Sequence, residues 1–360
     1  MNIYIFLLIL IVIYKILFLS ENSFKNKKYF LFLSFFTMAL VLGLRGPCVG
    51  EDTVHYSVGV FNAFKDISWL TVLSHPLGVQ WSVWGESIEY LFAILYKVVQ
   101  LFSDNGQVFL LVVALITCLL FACFIYINIS DYVFFATIVF LCDALFMGSF
   151  NGIRQMLALS IAINAYAFME KTDYKKGIFI IAIAFFVHAS SILMLPFLCL
   201  HMIRNYKKGT MLIVTLAIAM MLGFSFIETI VSIVIPKYRI YFLENYWTNS
   251  VRGTLILWVV LITLCLYVFK FGIKNKKEFF GMAGVILYIT VEIIGLKIAV
   301  FTRISYFFRA FLMMFFPACG ERFSNSSRTI YYLVIFVLLL LEYLSYASVP
   351  TRYYLFGSLF

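Results

Sequence analysis

Charge is what this chain has least of. Asp, Glu, Lys and Arg together make up 12% of its 360 residues, against 64% hydrophobic residues. That balance excludes a sizeable water-soluble domain, in which about a quarter of the residues are charged. The cysteines form no disulfide framework: Cys118, Cys123, Cys142, Cys199, Cys265 and Cys319 lie in apolar runs, and only Cys48 sits in a polar loop. There is no Walker loop, no dinucleotide fingerprint, no His and Cys at zinc spacing and no nucleophile elbow. No metal and no cofactor is expected. The loops between apolar runs are too short to fold around a nucleotide sugar or ATP.

What the chain has is apolar runs, recurring from 3–19 to 330–349. A helix needs about 20 apolar residues to cross the hydrocarbon core. The expected fold class is therefore all-α, a polytopic integral membrane protein of about 10–12 transmembrane helices in a single transmembrane domain, 1–360. The first run has no basic n-region and no small-residue cleavage site, so it reads as a retained span. The net charge of +10 is no nucleic-acid footprint, because Lys and Arg fall in short loops and there encode topology.

The basic loops at 25–28, 171–176, 204–208, 270–277 and 322–328 belong in the cytoplasm. Strict alternation of spans puts 171–176 outside. Two changes bring all five loops together. The run 107–127 enters and leaves on one side, and 178–202 breaks at His188, where Ser190 caps the second piece. These are the one or two re-entrant or broken helices expected. The long loop 45–85 then lies outside, and Ser57–Leu73 reads as an amphipathic interfacial helix, either substrate-facing or a plain cap. Ionisable residues within the runs crowd toward the same outer half, as around a polar cavity.

Four constellations carry candidate chemistry. Asp52, with Glu51 beside it and His55 and Tyr56 near, is either a general base for a sugar hydroxyl or the N-cap of a helix over 53–64. Arg154 opens the helix 151–169 with Asn151 as N-cap. That makes an anion site suited to phosphate or, alternatively, a snorkelling anchor; Gln155 faces into the bundle. His188 stands at a helix break, as a functional group or a packed one. Arg239, Arg303, Tyr306 and Arg309 are cations and aromatics near the outer mouth, suited to a pyrophosphate and a sugar or to interface anchoring.

Four stretches, in this order and spacing, resemble the EpsG/Wzy-type family of polysaccharide polymerases. They are Arg45 followed by Val49-Gly50-Glu51-Asp52-Thr53-Val54-His55-Tyr56, then Glu89-Tyr90-Leu91, then Phe150-Asn151-Gly152-Ile153-Arg154-Gln155 with Ala158, then His188-Ala189-Ser190 with Pro196. The resemblance covers about residues 1–205. Glu51 stands where the family often has a small polar residue, which leaves open whether Glu51 or Asp52 acts.

The resemblance implies a plan similar to GT-C glycosyltransferases. It implies a polymerase in the bacterial cytoplasmic (inner) membrane with its active site facing the periplasm or exterior. The substrate would be undecaprenyl-pyrophosphate-linked oligosaccharide, joined into O-antigen, capsular or exopolysaccharide chains. Asp52, His188 or Glu51 would take the acceptor's proton. Arg154, with Arg239 or Arg303, would hold the leaving pyrophosphate, and Arg45, Tyr56 and Glu89 join the binding set. Implied partners are the lipid bilayer, a flippase and a chain-length regulator, but no nucleic acid. A flippase for the same lipid-linked sugars and a membrane acyltransferase are the rival classes.

Overall fold

The computed structural model describes residues 3–19, 24–82, 86–129, 131–170, 173–224, 259–264, 272–295 and 300–347, with isolated positions at 226, 228, 229, 233 and 267. The described residues are almost wholly helical. A two-stranded hairpin, Val79–Gln80 against Ser87–Ile88, is the exception. Two compact units form, one from residues up to Leu198 plus the stretch from Tyr343, the other Cys199–Glu342. Three helices among the described residues are long and apolar enough to cross a membrane: Gly106–Asn128, Lys276–Gly295 and Asn325–Tyr346. This is an α-helical membrane protein.

In the first unit α1 (Ile3–Phe18) and α2 (Phe24–Gly43) are followed by a cap. The cap begins with α3 (Asp52–Val54), a π-helical turn (His55–Val60) and α4 (Phe61–Asp66), one continuous rod. Ile67 then turns extended, and Ser68 caps α5 (Trp69–Ser74) by accepting from the Thr71 N–H. The expected single interfacial helix over 57–73 is thus two pieces. After the hairpin come α6 (Tyr90–Gln100) and α7 (Gly106–Asn128).

α2 and α7 run antiparallel. Lys27 pairs with Asp131 at 3.6 Å at one end. At the other, Gln107 Nε2 donates to the Arg45 carbonyl at 3.1 Å. A Cβ on Gly43 would fall 2.6 Å from the Leu111 Cα, so glycine lets the two backbones meet. α7 is unbroken and about 34 Å long, enough to cross. The turn that the expected return of 107–127 would need is absent from this run.

The helix too short to cross as it stands is the one before it. α6 has 11 residues, about 16 Å, half a bilayer. Both its ends stay in the cap. Lys97 Nζ donates to Phe64 O at 3.0 Å, Gln100 Nε2 to Phe61 O at 2.7 Å, and Tyr96 stacks on Phe109 at 4.1 Å. Lys97 and Gln100 would lie unpaired in lipid if the run spanned. Exchanging the roles of the two runs leaves the number of crossings unchanged.

α8 (Val133–Cys142) leaves the lysine end near Asp131. It breaks at Asp143, extended and fully buried, and continues as α9 (Ala144–Gly148) to the cap. α10 (Ile153–Ile163) and α11 (Tyr166–Glu170) return; Asn164, between them, donates to Leu120 O at 2.9 Å, and Tyr166 packs edge-on to Phe124. The interruptions at 143 and 164 were not expected. α12 (Tyr174–Val187) climbs back and stops at His188, which is extended (φ −158°, ψ 120°). A 3₁₀ stretch (Ala189–Met194) and α13 (Leu195–Leu198) then fold back against α12. The break at His188 stands as expected. Its cap does not: Ser190 makes no capping bond, and the Ser190 and Ser191 hydroxyls are buried without a hydrogen-bond partner among the described residues.

The second unit contains α14 (Tyr206–Leu222), α15 (Lys276–Gly295), α16 (Val300–Arg309), α17 (Leu312–Gly320) and most of α18 (Asn325–Ala347). Asn275 and Glu278 form a reciprocal cap at the start of α15: the Glu278 N–H donates to Asn275 Oδ1 at 2.8 Å, and Glu278 Oε2 accepts from the Lys274 N–H at 3.0 Å.

The two ends of the first unit give an accessibility prediction. A cysteine at Thr71 reacts with an impermeant thiol reagent applied outside intact cells, and a cysteine at Asp173 reacts only after permeabilisation. Equal external labelling of both overturns the reading that just one of the runs 86–102 and 107–127 crosses.

Candidate functional site

The site is built where the cap meets the ends of α10 and α12. Two contacts fix the cap in register. Arg45 is buried, its Nε donating to Thr53 Oγ1 at 2.7 Å and its Nη1 to Leu42 O at 3.1 Å, with the guanidinium 5.4 Å from the Phe150 ring centroid. Burial lowers it to about 10, against the pull of Asp52, so it stays charged at neutral pH. Gly50 has φ +85°, and a Cβ there would collide with the Phe150 carbonyl. Asn151 completes this clasp by accepting the Glu51 N–H on Oδ1 at 2.9 Å. Asn151 is therefore not the expected cap of α10, which starts at Ile153 behind an uncapped Gly152. Asp52 is not a cap either: it is the first helical residue, behind Glu51.

Glu89 ends the hairpin and stands ahead of the first helical residue of α6. Its Oε2 accepts from Arg154 Nη1 at 2.6 Å and its Oε1 meets His188 Nδ1 at 2.7 Å, with the Ala189 N–H at 3.5 Å. The Arg154 guanidinium lies 5.2 Å from the Tyr56 ring centroid. Tyr56 in turn packs against Phe92 and His55, and His55 against Trp81. Side-chain exposures of 22% for Arg154, 19% for Glu89 and 25% for His188 leave each reachable by a ligand.

The electrostatics are one-sided. Burial pushes the Glu89 carboxyl up, but His188 and the Arg154 guanidinium pull it down further, to about 2. Glu89 is thus an anion at neutral pH and accepts only. A ring nitrogen facing it must carry a proton, so Nδ1 of His188 is the N–H, and in the neutral ring Nε2 keeps its lone pair. Burial raises the Tyr56 phenol, so it is neutral and can donate.

Of the expected site residues, the structure brings Tyr56, Glu89, Arg154 and His188 together. Asp52 lies one turn before Tyr56 and is half-buried, Glu51 is exposed, and Gln155 is buried within α10. Arg303, Tyr306 and Arg309 belong to α16 of the second unit. There Arg303 is exposed, Tyr306 half-buried, and Arg309 buried in a 3.0 Å pair with Glu342. Arg239 lies outside the described residues. No cluster that could hold a metal ion occurs among the described residues. The bridging role of Glu89 was missed, and its signal was a carboxylate beside an apolar run with no basic neighbour in sequence.

The family model for EpsG matches residues 28–356, nearly the whole length. The chain belongs to the EpsG family. That membership associates it with polysaccharide polymerases of glycosyltransferase type at a membrane. No curated protein and no solved structure matches it.

The lowered Glu89 carboxyl has a measurable consequence. A depressed acid contributes stability in full above its ordinary value of 4.5, and loses it as pH falls toward 2. Glu89→Gln should lower the melting temperature of the detergent-solubilised protein at pH 7 and flatten its acid dependence between pH 4.5 and 2. Parallel acid limbs for variant and wild type would show that Glu89 is not held by this cluster.

Proposed function

We propose that this protein joins oligosaccharide repeat units carried on undecaprenyl pyrophosphate, on the outer face of the bacterial cytoplasmic membrane. The observation that carries the reading is Glu89 holding His188 and Arg154 at once: an oriented base and a cation in one accessible cluster. Sidedness rests on charge. Lys27, Lys28, Lys175 and Lys176 gather at the end opposite the cap, and basic loops stay in the cytoplasm, so the cluster faces out.

In this mechanism His188 Nε2 accepts the proton of the acceptor hydroxyl. The acceptor oxygen forms the new bond to the donor's anomeric carbon as the bond from that carbon to the diphosphate breaks. The electron pair leaves with the lipid diphosphate. Arg154, fixed by Glu89 and stacked on Tyr56, meets the charge that develops there. Glu89 is a positioning residue, keeping the proton on Nδ1 so that Nε2 is free. Asp52 and the Tyr56 hydroxyl hold hydroxyls of the sugar, and Glu51 lies at the edge of the same mouth.

The test is a purified protein in liposomes with lipid-linked repeat unit and neither nucleotide sugar nor ATP. A ladder of longer glycans is expected; movement of the lipid across the bilayer without a ladder would make the protein a flippase. His188→Ala should lower the rate by about 10²- to 10⁴-fold, the usual size of a general-base loss. Arg154→Lys keeps the charge but loses the planar fork, and should also lose most product. Full activity in His188→Ala together with inactivity in Asp52→Asn moves the base to Asp52.

A further inference from the structure

A second space, lined by polar side chains together with Pro47 and Val58, opens in the cap, away from Glu89, Arg154 and His188, none of which lines it. Its volume is about 540 Å³, within the range of small-molecule sites, about 300–1,000 Å³. One wall is the rod that carries Tyr56, through Thr53, Ser57 and Asn62. The other is the turn between α6 and α7, through Asp104, Asn105 and Gln107.

The hydrogen-bonding groups of this wall are partly spent, and what remains defines the ligand. Thr53 Oγ1 takes the Arg45 guanidinium at 2.7 Å, and the Ser57 hydroxyl donates to Thr53 O at 2.6 Å. Asn105 Oδ1 accepts the Gln107 N–H at 2.8 Å, which leaves its amide NH₂ to donate. Gln107 Nε2 donates to the Gly43 and Arg45 carbonyls, which leaves its Oε1 to accept. The Asn62 amide and the Asp104 carboxylate are exposed. The space therefore offers both donors and acceptors, beside the apolar surface of Pro47 and Val58. No Lys or Arg lines it, and one carboxylate does. A phosphate finds no cation there. An acyl chain would strand the amides without partners. A ring of hydroxyls, each both donor and acceptor, matches.

We propose that this cavity is a second carbohydrate subsite, which holds sugars of the growing glycan beyond the bond being made. The proposal rests on the polymerase reading for the identity of the glycan. Both sites share one rod, with Tyr56 on the Glu89 cluster and Ser57 on the cavity, so a single chain entering the cap meets both. The subsite retains the product between additions. Its loss therefore shortens the polymer and leaves the joining of two units intact.

The experiment uses Asn62→Leu/Asp104→Leu, which removes the exposed polar groups, and Val58→Trp, which fills the space from a residue that lines it and is half exposed. Full-length protein in nanodiscs is compared at equal protein level and equal melting temperature. Binding of the repeat-unit oligosaccharide released by mild acid from the cell's own polymer is followed by saturation-transfer NMR. Affinity should weaken about tenfold, as the loss of one or two hydrogen bonds gives. Dimer formation from lipid-linked units should match wild type, and long products should disappear from the ladder. Wild-type chain lengths in both variants overturn the subsite, as does loss of dimer formation along with length. A wild type that makes no ladder overturns the polymerase reading alone, and the oligosaccharide binding of the two variants then still decides whether the cavity holds sugar.

Discussion

One carboxylate holds the functional end of the first unit together. Glu89 reaches Arg154 with one oxygen and His188 with the other, and so joins the starts of two returning segments to the hairpin of the cap. Each of the three groups would be costly alone at the edge of a membrane, where water is scarce and unpaired charge is expensive. Together they satisfy one another. The arrangement also explains why α12 stops where it does. The chain leaves helical geometry at His188, and the freed Ala189 N–H points at the same carboxylate that the ring meets. A helix that ran on through His188 would carry the ring round its own axis and out of reach.

The cap is held to the bundle by backbone proximity more than by charge. Gly43 against Leu111, Gly50 against Phe150 and Gly106 against Ser57 are places where two main chains pass with no room for a side chain. Arg45 sits among them and serves the chain's own groups, Thr53 and the Leu42 carbonyl. The cation that the sequence offers for substrate at this position is therefore a brace, and Arg154 is the one left facing open space. Long polar side chains in α6 serve the same end: Lys97 takes the Phe64 carbonyl, one of the last four of α4, and Gln100 takes that of Phe61 at its start.

The helical class and the break at His188 were legible in the sequence, because apolar length and a polar residue in a run are local signals. Which of two neighbouring runs crosses was not. The runs 86–102 and 107–127 are alike in hydropathy, and the deciding facts, Lys97 on Phe64 O and Gln107 on Arg45 O, are contacts between distant residues. Of the site, each of Tyr56, Glu89, Arg154 and His188 stood out by type, while the link between them is tertiary. Asn151 and Asp52 read as helix caps because of their chemistry, and both were drawn into other contacts when the loops at 50 and 150 met. The interruptions at Asp143 and Asn164 carry no Gly or Pro to announce them.

The π-helical turn at His55–Val60 gives the rod of the cap an unusual relation to its own length. Such a turn holds one residue more than an α-helical turn. It acts as a built-in insertion, and everything after it is rotated by about 100° from where a regular helix would put it. Phe61 and Phe64, which pack on Tyr96, and Asn62, which lines the cavity, all lie beyond it. Tyr56 and Asp52 lie within or before it. The cavity draws Thr53 and Ser57 from before or within the turn and Asn62 from beyond it, so its wall depends on that single extra residue, and in this stretch the chain is tuned by its residue count as much as by its residue types. Substitutions here change one contact at a time, whereas an indel of one residue would turn Phe61, Asn62 and Phe64 together away from the residues that precede the turn.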